Sequence, residues 1–236
     1  MRLALLFLTV ASPAVADTHP STFSLPVGCT AYMTVQNAHC EVDHHFTCTS
    51  DPDGHQQRAS LDAQGMNFLS VTDQEAQWIS SFDPVIGYNE WLLPEQADPV
   101  SFAGLIATGV DTFDFQTDTD MFGVTRFVGE DRLTGREVTI DGVTLLQTSY
   151  EIMAIAADGT VDWSARGNEF ISTDWNIFFG GTGVRTFSDS ETSYEERPVE
   201  FIFPGEPGFL STRPKHGCGV AISSAPLSEE TTYDYL

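Results

Sequence analysis

The stretch VTLLQTSYEIMAIAADGTVDWSARGNEFIS, residues 143–172, decides the fold. Asp158-Gly159 marks a two-residue turn between two long runs of strand-forming residues. Pairing outward sets Val161 opposite Ala156, Trp163 opposite Ala154, Ala165 opposite Ile152 and Gly167 opposite Tyr150. That column is apolar throughout, while the other face carries Ser149, Glu151, Asp162, Ser164, Arg166 and Asn168. Side chains alternate along a strand, so a slip of one residue would put the apolar set into water. Two strands choose the same inside face, which predicts an antiparallel hairpin with one buried side. Tyr150 across from Gly167 also suits an aromatic ring covering a strand glycine. Continuing the column gives Glu169 opposite Thr148 and Ile171 opposite Leu146, which turns one carboxylate, Glu169, toward the interior.

Similar short β-type runs fill the rest of the chain, separated by turn residues. Before the hairpin they fall at 30–36, 45–50, 57–62, 66–72, 77–82, 110–117, 122–130 and 136–140. After it come 175–179, 183–188 and 199–204. Between 77–82 and 110–117, SFAGLIAT (101–108) predicts one short helix with Asp98 or Ser101 near its start. The expected class is all-β: an antiparallel meander forming a barrel, half-barrel or sandwich, with one short helix. An outer-membrane barrel is disfavoured, because Asp and Glu fall on both strand faces where a lipid-facing band is apolar.

The ends and the charge place the chain. MRLALLFLTVASPAVA has a basic residue at Arg2, an apolar run from Leu3 to Val10 and a small-residue site at Ala14-Val15-Ala16. These features define a signal peptide over 1–16, and no later run is long enough to span a bilayer. The reading continues with a linker over 17–28, one β domain over 29–222 and a flexible acidic tail over 223–236. A periplasmic or secreted protein is expected. LPVGC (25–29) faintly resembles a lipoprotein-processing box, but Pro26 and the polar DTHPST before it argue against lipidation at Cys29. The 34 acidic residues against 10 basic ones give a net charge of −24, which repels nucleic acid and anionic lipid headgroups.

Four cysteines behind a signal peptide predict two disulfides. Cys40–Cys48 with Cys29–Cys218 is preferred, since the long-range bridge would tie the terminal strands together. Cys29–Cys48, facing each other across a hairpin, is the alternative.

The span from Cys29 to Phe82, with its Cys-containing hairpin and FLSVTDQEAQWISSFDP, resembles an uncharacterised family of exported alphaproteobacterial proteins. That resemblance implies export and a β-rich fold, and no chemistry. The meander GREVTIDGVTLLQTSYEI…DGTVDWSARGNEFIS is similar in layout to LolA-type periplasmic half-barrels, which carry acylated proteins. The likeness is architectural and transfers no residue.

NAHCEVDHHFTC (37–48) concentrates histidines, yet neighbouring strand residues such as His44 and His45 point to opposite faces. Solvent-exposed hairpin histidines without a metal are the expectation, with His39, His45 and His55 the alternative ligand set. Glu41-Val42-Asp43 lacks the further Glu that a carboxylate pair for glycoside hydrolysis needs. Asp111, Asp114, Asp118 and Asp120 lack the spacing of a calcium loop and read as an acidic strand pair. Gly180-Gly181-Thr182-Gly183 sits between strands, which predicts a hairpin turn and not a phosphate loop. No nucleophile elbow or HExxH is present, and no cofactor is expected.

The leading expectation is therefore a non-enzymatic binding or carrier domain for an apolar ligand or an envelope partner. Its candidate ligand-binding residues are Tyr150, Trp163, Glu169, Phe178 and Arg185. A turn at Thr173-Asp174 would set Phe178 opposite Glu169, and the glycine turn would bring Arg185 within reach of that carboxylate. The alternatives are a hydrolase using interior carboxylates, Glu169 with Glu137, or a metal-handling module.

Overall fold

The computed structural model describes residues 21–219. The leader at 1–16 and the acidic tail at 223–236 lie outside the described residues, as do 17–20 of the linker and 220–222 of the domain. Six strands come first: β1 (Cys29–Asn37), β2 (Glu41–Cys48), β3 (Gln56–Asp62), β4 (Gly65–Thr72), β5 (Trp78–Asp83) and β6 (Tyr88–Leu92). The helix α1 (Phe102–Thr108) follows. Then come β7 (Val110–Thr119), β8 (Thr125–Ile140), β9 (Val143–Ala156), β10 (Val161–Ser172) and β11 (Ile177–Phe179). The last are β12 (Thr182–Phe187), β13 (Glu191–Glu195) and β14 (Pro198–Ile202).

All fourteen strands belong to one antiparallel sheet, ordered β13-β12-β10-β9-β8-β7-β6-β5-β4-β3-β2-β1-β14, with β11 pairing β10. It does not close. The two edge strands, β13 and β14, are nonetheless consecutive, joined only by Glu196 and Arg197. Two residues reach at most about 10 Å, so the sheet must coil until its ends nearly meet. The Glu196 amide donates to the Gly181 carbonyl at 2.7 Å, and the Ala38 amide donates to the Arg197 carbonyl at 3.0 Å. The link is thus bonded to both ends of the sheet.

Across that seam lies the main core. Met33 and Val35 of β1, Phe201 of β14, Leu145 of β9, Phe170 of β10, and Ile177 and Phe179 of β11 pack together. Val138, Ile140 and Val143, from the tip of the β8–β9 hairpin, press against them. The convex side of β1–β3 has its own cluster, Ala31, Val42, Phe46, Ala59 and Leu61, covered by Phe23, Leu25, Phe209 and Leu210.

The hairpin register holds where the apolar column is longest: Trp163 opposite Ala154, Ala165 opposite Ile152, Gly167 opposite Tyr150, Glu169 opposite Thr148. Near the turn it differs, since Val161 lies opposite Ile155. The loop has three residues, closed by Ala156 and Thr160, with Gly159 at φ 87 supplying the left-handed step. A bulge between Val161 and Trp163 then restores the frame. The helix is capped by Ser101, whose hydroxyl accepts the Gly104 amide at 3.0 Å; Asp98 instead bridges to Asp114.

Three expectations are corrected. The segment 173–176 forms the turn into β11, with Asn176 at φ 52, so Phe178 faces Ile171 and not Glu169. Gly180-Gly181 makes no hairpin: β12 continues along the same edge of β10, which puts Arg185 opposite Ala165. A Cβ on Gly181 would lie 2.1 Å from the Asn168 carbonyl oxygen, so only glycine lets the bulged backbone come this close. The disulfides are Cys29–Cys48 and Cys40–Cys218. The β1–β2 register places Cys29 beside Cys48 at one end of the hairpin. Cys40 sits in the turn at the other end, where its amide meets the His216 carbonyl at 2.8 Å. A Cys29 sulfur held in a disulfide is not free to carry a thioether lipid.

β6 and β13 form from segments the sequence pattern left as connections, and β8 is one bent strand with extra residues between Leu133 and Glu137.

If the seam core holds the sheet, Leu145→Ala should cost about 3 kcal/mol despite its place near a hairpin tip, read as the shift in urea midpoint. A loss below about 1 kcal/mol would show the tip to be peripheral. On loop entropy, replacing both members of Cys40–Cys218 by serine should cost about 5 kcal/mol, against about 3 kcal/mol for Cys29–Cys48. The same urea titration compares the two pairs of variants.

Candidate functional site: an aromatic-walled cleft at the seam

The concave face is set by alternation along each strand. Asp43 and His45 of β2, Arg58 of β3, and Phe68 and Ser70 of β4 border the cleft on one side. Tyr150, Trp163, Ala165, Glu169 and Arg185 border it on the other. A cavity of about 340 Å³ lies among His45, Arg58, Trp78, Glu169, Phe178 and Glu196. A second, of about 320 Å³, lies among Asp131, Tyr150, Trp163, Glu169, Arg185 and Tyr194. Glu169, Phe178 and Glu196 border both, so they are two lobes of one cleft. A third lobe opens past Arg58, Arg185 and Glu196 to a rim with exposed Val85 and Ile86.

All five residues singled out in the sequence, Tyr150, Trp163, Glu169, Phe178 and Arg185, border the second lobe. Their interactions differ from those expected. Arg185 forms no pair with Glu169; its guanidinium lies 5.2 Å from the Trp163 ring and 5.6 Å from the Tyr194 ring, exposed on one side. Tyr150 lies opposite Gly167 as expected, and a Cβ on that glycine would also meet the Thr182 carbonyl oxygen at 2.3 Å, so close backbone approach requires glycine there. A Cβ on Gly183 would meet the Tyr194 hydroxyl at 2.3 Å, and one on Gly129 would meet the edge of the Phe113 ring at 2.5 Å, so aromatic side chains lie over both glycines. Glu137 is exposed on the β8 bulge and cannot partner Glu169.

The carboxyl that does neighbour Glu169 is Asp131, buried opposite Tyr150 in a cross-strand row with Asp111. Burial, then the Asp131 and Glu196 carboxylates, pushes Glu169 up to about 8, against the pull of Arg58. Burial and then Asp111 and Glu130 push Asp131 up to about 7. Glu169 keeps part of its surface open to the cleft but accepts no hydrogen bond among the described residues. Other buried acids are served: Asp43 accepts from Asn37 at 2.8 Å and Ser60 at 2.5 Å, and Glu90 accepts from Thr117 at 2.5 Å.

Unmet polar atoms concentrate around this cleft. His45 Nε2, Arg58 Nε, Trp78 Nε1, Asp131 Oδ1 and the Tyr194 hydroxyl are buried without a hydrogen-bond partner. All five belong to residues bordering the two lobes. Leaving such atoms unpaired costs about 1–3 kcal/mol each, and five of the nine such atoms among the described residues belong to residues of this one cleft.

The histidine cluster is dispersed. His44 and His45 are buried, contrary to the exposed hairpin expected. His44 stacks on Phe23 at 4.8 Å on the convex side, and His45 meets the edge of Phe179 on the concave side. Burial lowers both, His44 to about 4 and His45 to about 3, keeping them neutral at ordinary pH. His39 pairs with Glu41 at 3.3 Å, and His55 lies in a separate surface hollow. Among the described residues no group of three or more His, Cys, Asp or Glu is placed to share a metal ion. Asp111, Asp114 and Asp120 also serve separate partners: the Ser101 amide, Arg126 and Asn89.

Sequence reasoning missed Arg58, Trp78, Asp131, Tyr194 and Glu196. Reading β8 through Glu130 would have carried the Tyr150 row to Asp131; the others lie on strands far away in sequence. Comparison with known protein families, characterised proteins and solved structures finds no match to this chain.

Glu169 and Asp131 give a pH test. A carboxyl raised on folding contributes stability that is fully present below its unfolded value and lost as pH rises through its folded value. For Glu169 that window runs from about 4.5 to about 8. Wild type and Glu169→Gln should therefore melt alike near pH 5, and the variant should be the more stable above pH 8. Parallel melting curves across that range would place Glu169 in water.

Proposed function

We propose that this chain is an exported, periplasmic binding protein that holds a partly apolar small molecule in the seam cleft. One observation carries the reading: five residues that each hold a buried, unpartnered polar atom line a cavity walled by Trp78, Trp163, Phe178 and Tyr194. Aromatic walls with a few placed polar groups are the usual make-up of a small-molecule site. The signal peptide and the two disulfides support an oxidising compartment outside the cytoplasm. Among the described residues no helix is long and apolar enough to cross a membrane. The meander's likeness in layout to LolA-type half-barrels suits the same reading, in which a coiled sheet wraps an apolar chain.

The raised carboxyls favour a second reading. A protonated Glu169 beside Asp131 suits a general acid, as in a hydrolase.

Native mass spectrometry of protein taken directly from the periplasm distinguishes these readings. A carrier should show an adduct released intact by organic solvent, and Trp163→Ala should lower its occupancy about tenfold, the loss of one good aromatic contact. Protein that carries no adduct and fails to take up an apolar fluorescent probe would overturn the carrier. Chemical turnover of the released molecule, lost in Glu169→Gln, would replace it with the hydrolase.

A further inference from the structure

The cleft's two arginines stand apart from the other cations. Acids outnumber bases 34 to 10, so a carboxylate partner is easily found. Arg126, Arg132, Arg166, Arg197 and Lys215 each lie within ion-pair distance of one. Arg58 and Arg185 form no ion pair and donate no side-chain hydrogen bond among the described residues. Arg136, exposed on the β8 bulge away from the cleft, also forms none, and Arg185 is exposed like it but borders the cleft. Arg58 is half-buried with its Nε fully enclosed.

Both cleft arginines lie over aromatic rings, Arg58 at 5.7 Å from Phe68 and Arg185 at 5.2 Å from Trp163. Stacking fixes the plane of a guanidinium and leaves its N–H edge free, the edge that grips a carboxylate or phosphate with two parallel bonds. They come from strands near opposite ends of the sheet, yet both border the third lobe. The Arg58 charge favours ionised Asp43 and Glu169, yet neither carboxylate accepts a hydrogen bond from it. Asp43 is committed to Asn37 and Ser60, and Glu169 and Asp131 lie deeper, beside the apolar wall. Glu41, Asp83 and Glu196 also border this lobe, carboxylates that any anion must pass.

Building on the binding reading above, we infer that the ligand has one acidic head group, a carboxylate or a phosphate, held by Arg58 and Arg185. Its apolar body runs inward along Trp78, Phe178 and Trp163. The polar atoms beneath, Trp78 Nε1 and the Tyr194 hydroxyl, meet oxygens of the head or of a linkage next to it.

Four probes with one dodecyl chain test the inference by calorimetry: dodecanoate, dodecyl phosphate, dodecanol and dodecyltrimethylammonium. Both anions should bind at least about tenfold more tightly than the alcohol, and the cation most weakly. Arg58→Gln and Arg185→Gln should each bring the anions toward the affinity of the alcohol while leaving the alcohol itself unchanged. Where either variant fails to fold, the lysine variant replaces it: it keeps the charge, loses the two-bond grip and should show a smaller loss. The tighter of the two anions identifies the head group. Equal binding of alcohol and anions, tightest binding of the cation, or arginine variants that act alike on every probe would overturn the acidic head and leave a binding cleft standing. Failure of all four probes to bind would remove the binding reading as well.

Discussion

Two residues, Glu196 and Arg197, join the edge strands of a sheet thirteen strands wide, and most of the molecule follows from that short link. A flat sheet of this width would hold its edges several tens of ångströms apart, at about 4.8 Å per strand. The link forces the sheet to coil through its whole course, with the hairpin tip of β8 and β9 landing on β1 and β14. The resulting core of Met33, Val35, Leu145, Phe179 and Phe201 fills one end of the seam. Cys40–Cys218 ties the β1–β2 turn to the last described residues beside it. Where that filling stops, the seam stays open, and the open part is the cleft. Glu196 borders all three lobes because it belongs to the link itself.

The same geometry explains the electrostatics. Coiling turns strand faces that would be half-solvated in an open sheet toward one another, so polar residues placed by alternation end up enclosed. Asp131 and Glu169 thereby share a low-dielectric space, each opposing ionisation of the other in addition to the cost of burial. Interaction between the two makes their titration a property of the pair. The surface of the molecule has the opposite character: its acids are solvated or paired with arginines such as Arg126 and Arg132.

Sequence patterning was informative wherever a strand has two distinct faces. The column from Trp163 to Ile171 is legible because a slip by one residue would expose Trp163 and Ala165 together, and the structure keeps it. It failed where backbone geometry, not side-chain polarity, sets the register. Asn176 in a left-handed conformation and the bulge at Gly180-Gly181 shift β11 and β12, and nothing in their apolar pattern announces either. The preferred disulfide pairing failed for a related reason, while two bridges and the alternative Cys29–Cys48 hold: nearness in sequence pointed to Cys40–Cys48, but a hairpin separates its turn from its open end by the length of the strands. Half of the cleft was beyond reach, since Arg58, Trp78 and Glu196 meet Glu169 only through the coiling of the sheet.

Division of labour between core and cleft gives the fold its character. The apolar clusters are filled and their buried acids are bonded, as Asp43 and Glu90 illustrate. Five of the nine unmet buried polar atoms among the described residues belong to residues of the cleft. In the unfolded chain each would be hydrated, so their cost falls on the native state alone. A ligand that pairs them relieves that cost only when the sheet is coiled, because Arg58 and Arg185 approach one another through the closure of the seam. Its binding free energy therefore adds to the stability of the coiled form and to no other.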